Sequence, residues 1–338
     1  MFEKYKKNNC YIIAEIGGNF TTLEAAKKLI DLSLEAGVDA VKLQTYRADT
    51  LASKQAQFNM ENTGITSQYD LFKKYEISED MHSDIFKYAQ SKGLDWFSTP
   101  AHETDVDMLD KYGVGAYKIG SDDAVNQPFL KYIANKNKPI ILSTGMCTLQ
   151  DVRESVNCIL QEGNEKIILL HAITSYPTHS KDVNLKAMQT LKNEFPMLDV
   201  GYSDHTLSPI ACIAAVAMGA KIIEKHFTYD KNAEGPDHML SADLAEMKYI
   251  VKSIRDLEVM MGSGIKLPAE SEKITRINNR KSIVSLKKIK AGERIDLSHV
   301  SIKRPGYGIE PKFLDQIIGK LAAVDIENDS VIHWSDLS

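Results

Sequence analysis

The sequence predicts an α/β protein, a (β/α)8 TIM barrel followed by a small β-rich domain. Eight short β-rich runs recur over residues 1–265, each followed by a segment of helical periodicity. Such alternation implies right-handed βαβ units around a parallel sheet. Eight units in about 260 residues match a barrel in count and length. A doubly wound open sheet is the alternative, but it usually has fewer strands. Residues 281–338 change style, with short β-runs, turns and no long helix.

In order, the strands are read at residues 11–16, 40–45, 95–99, 116–119, 139–144, 166–173, 199–203 and 221–227. Helices are read at 23–35, 69–91, 103–111, 127–134, 149–161, 185–194, 209–218 and 242–261. Gly262 and Gly264 then open a polar, charged stretch, residues 266–280, that reads as a linker. In the small domain IKAGERI at 289–295 aligns with IENDSVI at 326–332, an offset of 326 − 289 = 37. Both copies read as strand, polar turn, strand. A unit this small buries a marginal core and is expected to lean on the barrel or on a second subunit.

Composition excludes several classes. The 338 residues are 43% hydrophobic and 26% charged, ordinary for a globular protein. Lys and Arg number 41 against 46 Asp and Glu, so the net charge of −5 offers no global attraction for nucleic acid or an acidic membrane. The four cysteines form no C-x-x-C pair, which suits free thiols in a reducing compartment. The first residues show no long apolar run with a small-residue cleavage site, and the most apolar stretch, 210–220, is far shorter than the roughly 18 residues of a membrane span. A cytoplasmic location is expected. There is no P-loop, and the Gly-x-Gly pairs at 113–115 and 306–308 lack the third glycine of a dinucleotide fingerprint.

Chemistry in a barrel gathers at the C-terminal strand ends. Lys42 and Lys118 lie within predicted strands. Barrel strands are covered on both faces, so such a lysine must snorkel, pair or meet an anion. Taken singly, each reads as a paired or snorkelling residue. Together with the hydroxyls of Thr99, Ser121, Ser143 and Ser203 they describe a socket for a small, multiply charged anion. His205 and His226 end neighbouring strands and suit a divalent metal, although they lack a local motif such as H-E-x-x-H and either alone reads as an ordinary strand-end histidine. Asp237 and His238 follow the last strand in a Gly-Pro turn, and Arg304 offers a guanidinium in the small domain.

Several motifs then carry a resemblance. IAEIG at 13–17, KLQT at 42–45, FSTP at 97–100, YKIGS at 117–121, STGM at 143–146, SYPT at 175–178, GYSDHT at 201–206 and EKHFT at 224–228 stand in the order seen in sialic (nonulosonic) acid synthases, which the chain resembles over essentially its whole length. The tail, with KRPG at 303–306 and IGK at 318–320, resembles the antifreeze-like (SAF) domain of these enzymes. The resemblance implies a transferase that condenses phosphoenolpyruvate with an N-acetylmannosamine-type sugar, giving a nine-carbon 2-keto acid and phosphate by C–O cleavage. It implies phosphoenolpyruvate at Lys42, Thr99, Lys118, Ser121, Ser143 and Ser203, and a Mn2+ or Mg2+ ion on His205 and His226. It places the sugar at Glu15, Gln44, Asp123, Tyr176 and Asp237, with Glu15, Lys118, His205, His226 and Asp237 in catalysis. Arg304 would reach the sugar across a domain-swapped homodimer.

Phe20 after Asn19, Asp123 where many members carry Glu, and the Thr174–Ser175 pair depart from the family pattern on the side expected to hold the sugar. The alternative acceptor is therefore a 2,4-diacetamido-6-deoxy hexose, giving legionaminic or pseudaminic acid. A keto-sugar acid synthase acting on a phosphorylated aldose would need a further basic cluster, for which Lys225 and Arg304 are the candidates. An ice- or carbohydrate-binding protein would need neither barrel lysines nor paired histidines.

Overall fold

The computed structural model describes Tyr5, residues 10–60 and residues 64–338. The chain divides into two compact units, Met1–Gly262 and Ser263–Ser338. The strands are β1 (Tyr11–Glu15), β2 (Ala40–Thr45), β3 (Gln57–Met60), β4 (Gly64–Ser67), β5 (Asp95–Pro100), β6 (Tyr117–Ile119), β7 (Ile140–Ser143), β8 (Ile167–Ala172), β9 (Asp199–Asp204), β10 (Ile222–His226), β11 (Ser282–Ser285) and β12 (Val300–Lys303). In the first unit β1, β2 and β5 to β10 close into a barrel, β1 pairing with both β2 and β10, all in parallel. This is the predicted (β/α)8 architecture.

The two-residue period of a strand sorts its side chains between two cores. Tyr11, Ile13, Ala40, Phe97, Ile141, Ile168, Leu170 and Ile222 pack together and fill the barrel's interior. The intervening residues, Ile12, Ala14, Val41, Leu43 and Ile140 among them, join a larger core between strands and helices. Phe20, expected on the sugar side, belongs to that outer core and is buried there.

Two predicted elements differ. The helix expected at 69–91 is two helices, Gln68–Tyr75 and Glu79–Ser91. Ser78, extended at φ −70° and ψ 161°, accepts from Met81 N and starts the second, so local capping overrides a continuous helical pattern. Before them lies a β3–β4 hairpin, where the sequence reading has no element. Lys225, considered for a phosphate cluster, faces away from the barrel interior. It donates to Asp204 Oδ2 at 2.6 Å and to the Thr206 carbonyl at 2.7 Å.

In the second unit the stretch read as a linker carries the helix Lys273–Asn279, and β11 pairs antiparallel with β12. The two repeats meet each other: Ile289 and Ile326 exchange backbone hydrogen bonds of 2.8 Å in both directions. Equivalent turn positions, Gly292 (φ 83°) and Asp329 (φ 59°), are both left-handed. Ile289, Ile295, Ile326 and Ile332 are buried in one small core.

Asp204 and Lys225 are both buried, and removing one partner of such a pair strands the other charge. Lys225→Met should therefore cost ~3–5 kcal/mol and lower the barrel's melting temperature by ~10 °C in a calorimetric scan. An unchanged melt would contradict this pairing.

Candidate active site

Strand register assembles the site at the upper, C-terminal end of the barrel. Glu15 on β1 stands level with Lys42 on β2 and with His226 on β10, and Glu224 stands level with Ser203. Lys42 forms an ion pair with Glu15 and donates to Thr99 Oγ1 at 2.9 Å. Lys118 donates to Ser143 Oγ at 2.7 Å and to the Ile119 carbonyl at 3.1 Å, and lies 3.8 Å from Glu224 Oε1. Ser203 donates to that same Glu224 oxygen at 3.0 Å, while the second oxygen is buried with no hydrogen-bond partner. All four charged side chains are buried.

Burial pushes Lys42 down to about 8, against the pull of Glu224. Burial alone would raise Glu224, but Lys118 and Lys42 outweigh it and hold the carboxyl below its ordinary range. The result is two cations and two anions interleaved, with hydroxyls between them. Such a socket can exchange protein carboxylates for the oxygens of an anionic ligand.

Beside it is a histidine corner. His205 Nδ1 lies 2.9 Å from the Ile173 carbonyl, so it donates there and leaves Nε2 with a free lone pair. His226 Nδ1 is buried without a hydrogen-bond partner, 3.5 Å from Asp237 Oδ2. Burial lowers His205 to about 4 and His226 well below its ordinary value, so both rings are neutral at pH 7. Burial also raises Asp237 to about 7, opposed by Lys42. The rings lie 5.4 Å apart, and Tyr176 packs 4.3 Å from His205.

Among the described residues no group of three or more His, Cys, Asp or Glu is gathered to hold a metal. The donor chemistry nonetheless fits a divalent ion: two neutral imidazoles, one with an orphaned buried nitrogen, face a carboxylate. His205 and His226 would hold it.

These groups open on a cavity of about 750 Å³. Its lining brings together Glu15, Lys42, Gln44, Thr99, Lys118, Ser121, Ser143, Tyr176, Ser203, His205, His226 and Asp237. Ser121 Oγ also accepts from Gly145 N at 2.9 Å. Asp123 is not in the lining; it accepts from Asn126 Nδ2 at 2.9 Å, and its neighbour Asp122 faces the cavity instead. Burial raises Asp123 to about 6. Arg304 lies in the second unit, just after β12, and His238 is tied to Thr228 Oγ1 at 2.6 Å. Sequence reasoning did not single out Glu224. Its signal was available: two residues before His226 on one strand, it must share the inward face.

The NeuB family model matches residues 29–266 and the SAF domain model matches residues 280–338. The chain belongs to the NeuB family. It is 42% identical to the N,N'-diacetyllegionaminic acid synthase of Legionella pneumophila, with 97% of this chain and 94% of the relative covered. The corresponding synthase of Campylobacter jejuni is 40% identical over 95% and 98% of the two chains. A crystal structure of the N-acetylneuraminic acid synthetase of Leptospira borgpetersenii, in complex with citrate, superimposes with a TM-score of 0.71 at 31% identity, covering 79% of this chain and 90% of that one. As a NeuB-family member the protein is a phosphoenolpyruvate-utilising enzyme that forms a carbon–carbon bond.

Lys42 attracts an anion only while protonated, and its value near 8 sets a pH limb for any anionic ligand taken into this socket. As pH rises through about 8 the charged form is lost, so kcat/KM for phosphoenolpyruvate should fall, approaching tenfold per pH unit. In Lys42→Arg, whose guanidinium keeps its charge, the limb should vanish even if the overall rate is lower. A limb that persists unchanged would assign it to another group.

Proposed function

We propose that this NeuB-family enzyme condenses phosphoenolpyruvate with a 2,4-diacetamido-6-deoxy hexose, releasing phosphate and a nine-carbon 2-keto acid of the diacetyllegionaminic type. The observation that carries the acceptor is the greater identity to the two diacetyllegionaminic acid synthases than to the sialic acid synthetase. This favours the alternative acceptor over plain N-acetylmannosamine. A phosphorylated acceptor is disfavoured, because the lysines of the cavity lining are Lys42 and Lys118, both assigned here to phosphoenolpyruvate, and Lys225 is turned away toward Asp204.

In this reading Lys42 and Lys118, with Thr99, Ser121, Ser143 and Ser203, hold the phosphate and carboxylate of phosphoenolpyruvate. Glu15, Gln44 and Tyr176 orient the open-chain sugar, with Asp122 taking the place expected for Asp123. C3 of phosphoenolpyruvate bonds to the aldehyde carbon, water adds at C2, and phosphate departs with its bridging oxygen. Asp237, poised near neutrality, holds or releases a proton at Oδ2 beside the imidazoles. A bound Mn2+ or Mg2+ at His205 and His226 would polarise the acceptor's aldehyde oxygen. Arg304 would be supplied to the sugar by the partner chain of a homodimer.

Phosphate release from phosphoenolpyruvate with Mn2+ tests the acceptor. Release is expected with the 2,4-diacetamido-6-deoxy hexose and not with N-acetylmannosamine or its 6-phosphate. Turnover of N-acetylmannosamine alone would restore the sialic acid reading.

His226→Ala should abolish turnover while leaving the thermal melt in place, and chelation with EDTA should silence the wild type. Full activity after chelation would remove the metal from the reaction.

A further inference from the structure

The cavity lining draws on two unlike sources. Glu15, Gln44, Asp122, Tyr176 and Asp237, from the strand ends and the loops after them, supply polar groups. Leu51, Phe58, Leu71 and Phe72, which follow β2 in the chain, add apolar side chains to the lining. On the helix Gln68–Tyr75 the lining positions are Gln68, Leu71, Phe72 and Tyr75, spaced i, i+3, i+4 and i+7. That is one helical face. The lysines of the same helix point elsewhere: Lys73 pairs with Glu76 and Lys74 with Glu234, each at 2.6 Å. Phe72 is fixed edge-on between Tyr46, 5.2 Å away, and Phe58, 5.6 Å away.

Apart from Gln68 this face is apolar or aromatic, and such a face normally lies on a protein core, whereas this one lies on the cavity. Its location decides which part of the acceptor it meets. The aldehyde end of the sugar must descend to the lysine socket, where phosphoenolpyruvate reacts. The segment carrying this face follows the C-terminal end of β2, above the strand ends that carry the lysine socket, and it is toward this end that C6 is left. We propose that the face formed by Phe58, Leu71 and Phe72 is a specificity element that receives the C6 methyl of the acceptor and rejects a C6 hydroxyl. The proposal rests on the 6-deoxy reading above and adds the residues that enforce it. A hydroxyl pressed against these side chains would lose its water without gaining a partner.

The test compares kcat/KM for the 2,4-diacetamido-6-deoxy hexose with that for the same sugar bearing a C6 hydroxyl. Wild type should prefer the deoxy sugar by ~10–100-fold. Leu71→Ser and Phe58→Ser should bring the ratio to within roughly threefold of unity, mainly through the acceptor KM, with the KM for phosphoenolpyruvate unchanged. Leu71→Met and Phe58→Leu should retain the preference. An unchanged ratio in serine variants that melt like wild type overturns the proposal and leaves the diacetamido reading standing. A wild-type ratio near unity overturns it without any variant. If N-acetylmannosamine is the acceptor instead, the diacetamido reading falls. The same ratio, taken between that sugar and its 6-deoxy form, then decides the role of the apolar face by itself: indifference overturns it and a deoxy preference supports it.

Discussion

Two ammonium groups buried at the top of a closed barrel impose the constraint on which the rest of the site depends. An unpaired charge there would cost several kcal/mol, so each lysine must be answered by an anion. The chain answers with Glu15 beside Lys42 and Glu224 beside Lys118, and the hydroxyls of Thr99, Ser143 and Ser203 absorb remaining hydrogen bonds. The two carboxylates thus stabilise the unliganded protein and are the groups with which a phosphate or carboxylate ligand must compete. Glu224 is the more readily displaced, since its closest lysine nitrogen is 3.8 Å away and one oxygen is unpartnered. Lys42 instead sits in direct contact with Glu15, so an anion arriving at Lys42 perturbs the residue expected to orient the sugar.

The same burial that strains the lysines sets the protonation of their neighbours. His205 and His226 are neutral because an imidazolium could not be solvated there, and Lys42, Lys118 and Lys225 nearby add repulsion at His226. Neutral imidazoles present lone pairs, the form that a metal requires. Asp237 is raised for the complementary reason, since a carboxylate loses water without gaining a full ion pair. One desolvated pocket therefore holds a depressed lysine, two depressed histidines and a raised carboxyl, a range of proton affinities that no exposed surface would produce.

What the sequence reveals follows the regularity of each segment. Strand periodicity makes Lys42, Lys118, Ser143, His205 and His226 readable, because a parallel strand fixes which residues face inward and which end is the top. By the same rule Glu224 was readable and Lys225 could have been dismissed, as alternate residues on one strand. Loops carry no such period. Asp122 and Asp123 are adjacent in a turn, and their orientations are decided by Asn126, which draws Asp123 to itself as it caps the following helix. Phe20 reads as a change at the site only when its neighbours in sequence are considered; packing against the outer core takes it away. The β3–β4 hairpin and the break at Ser78 were hidden because an amphipathic segment over a cavity has the same pattern as one over a core.

This division has a consequence for how chemistry and specificity are stored. The anion socket and the histidine corner are built on strands whose register is fixed on both sides, so in the proposed reaction a change there would reach the chemistry itself. The apolar face comes from an insertion after β2, outside the barrel ladder, and shares the cavity without carrying the charged groups. Substitutions in it can reshape the mouth while the floor keeps its register. In the proposed reading the floor keeps a common carbon–carbon bond-forming chemistry, and the far end of the acceptor meets residues that can vary without disturbing a buried charge.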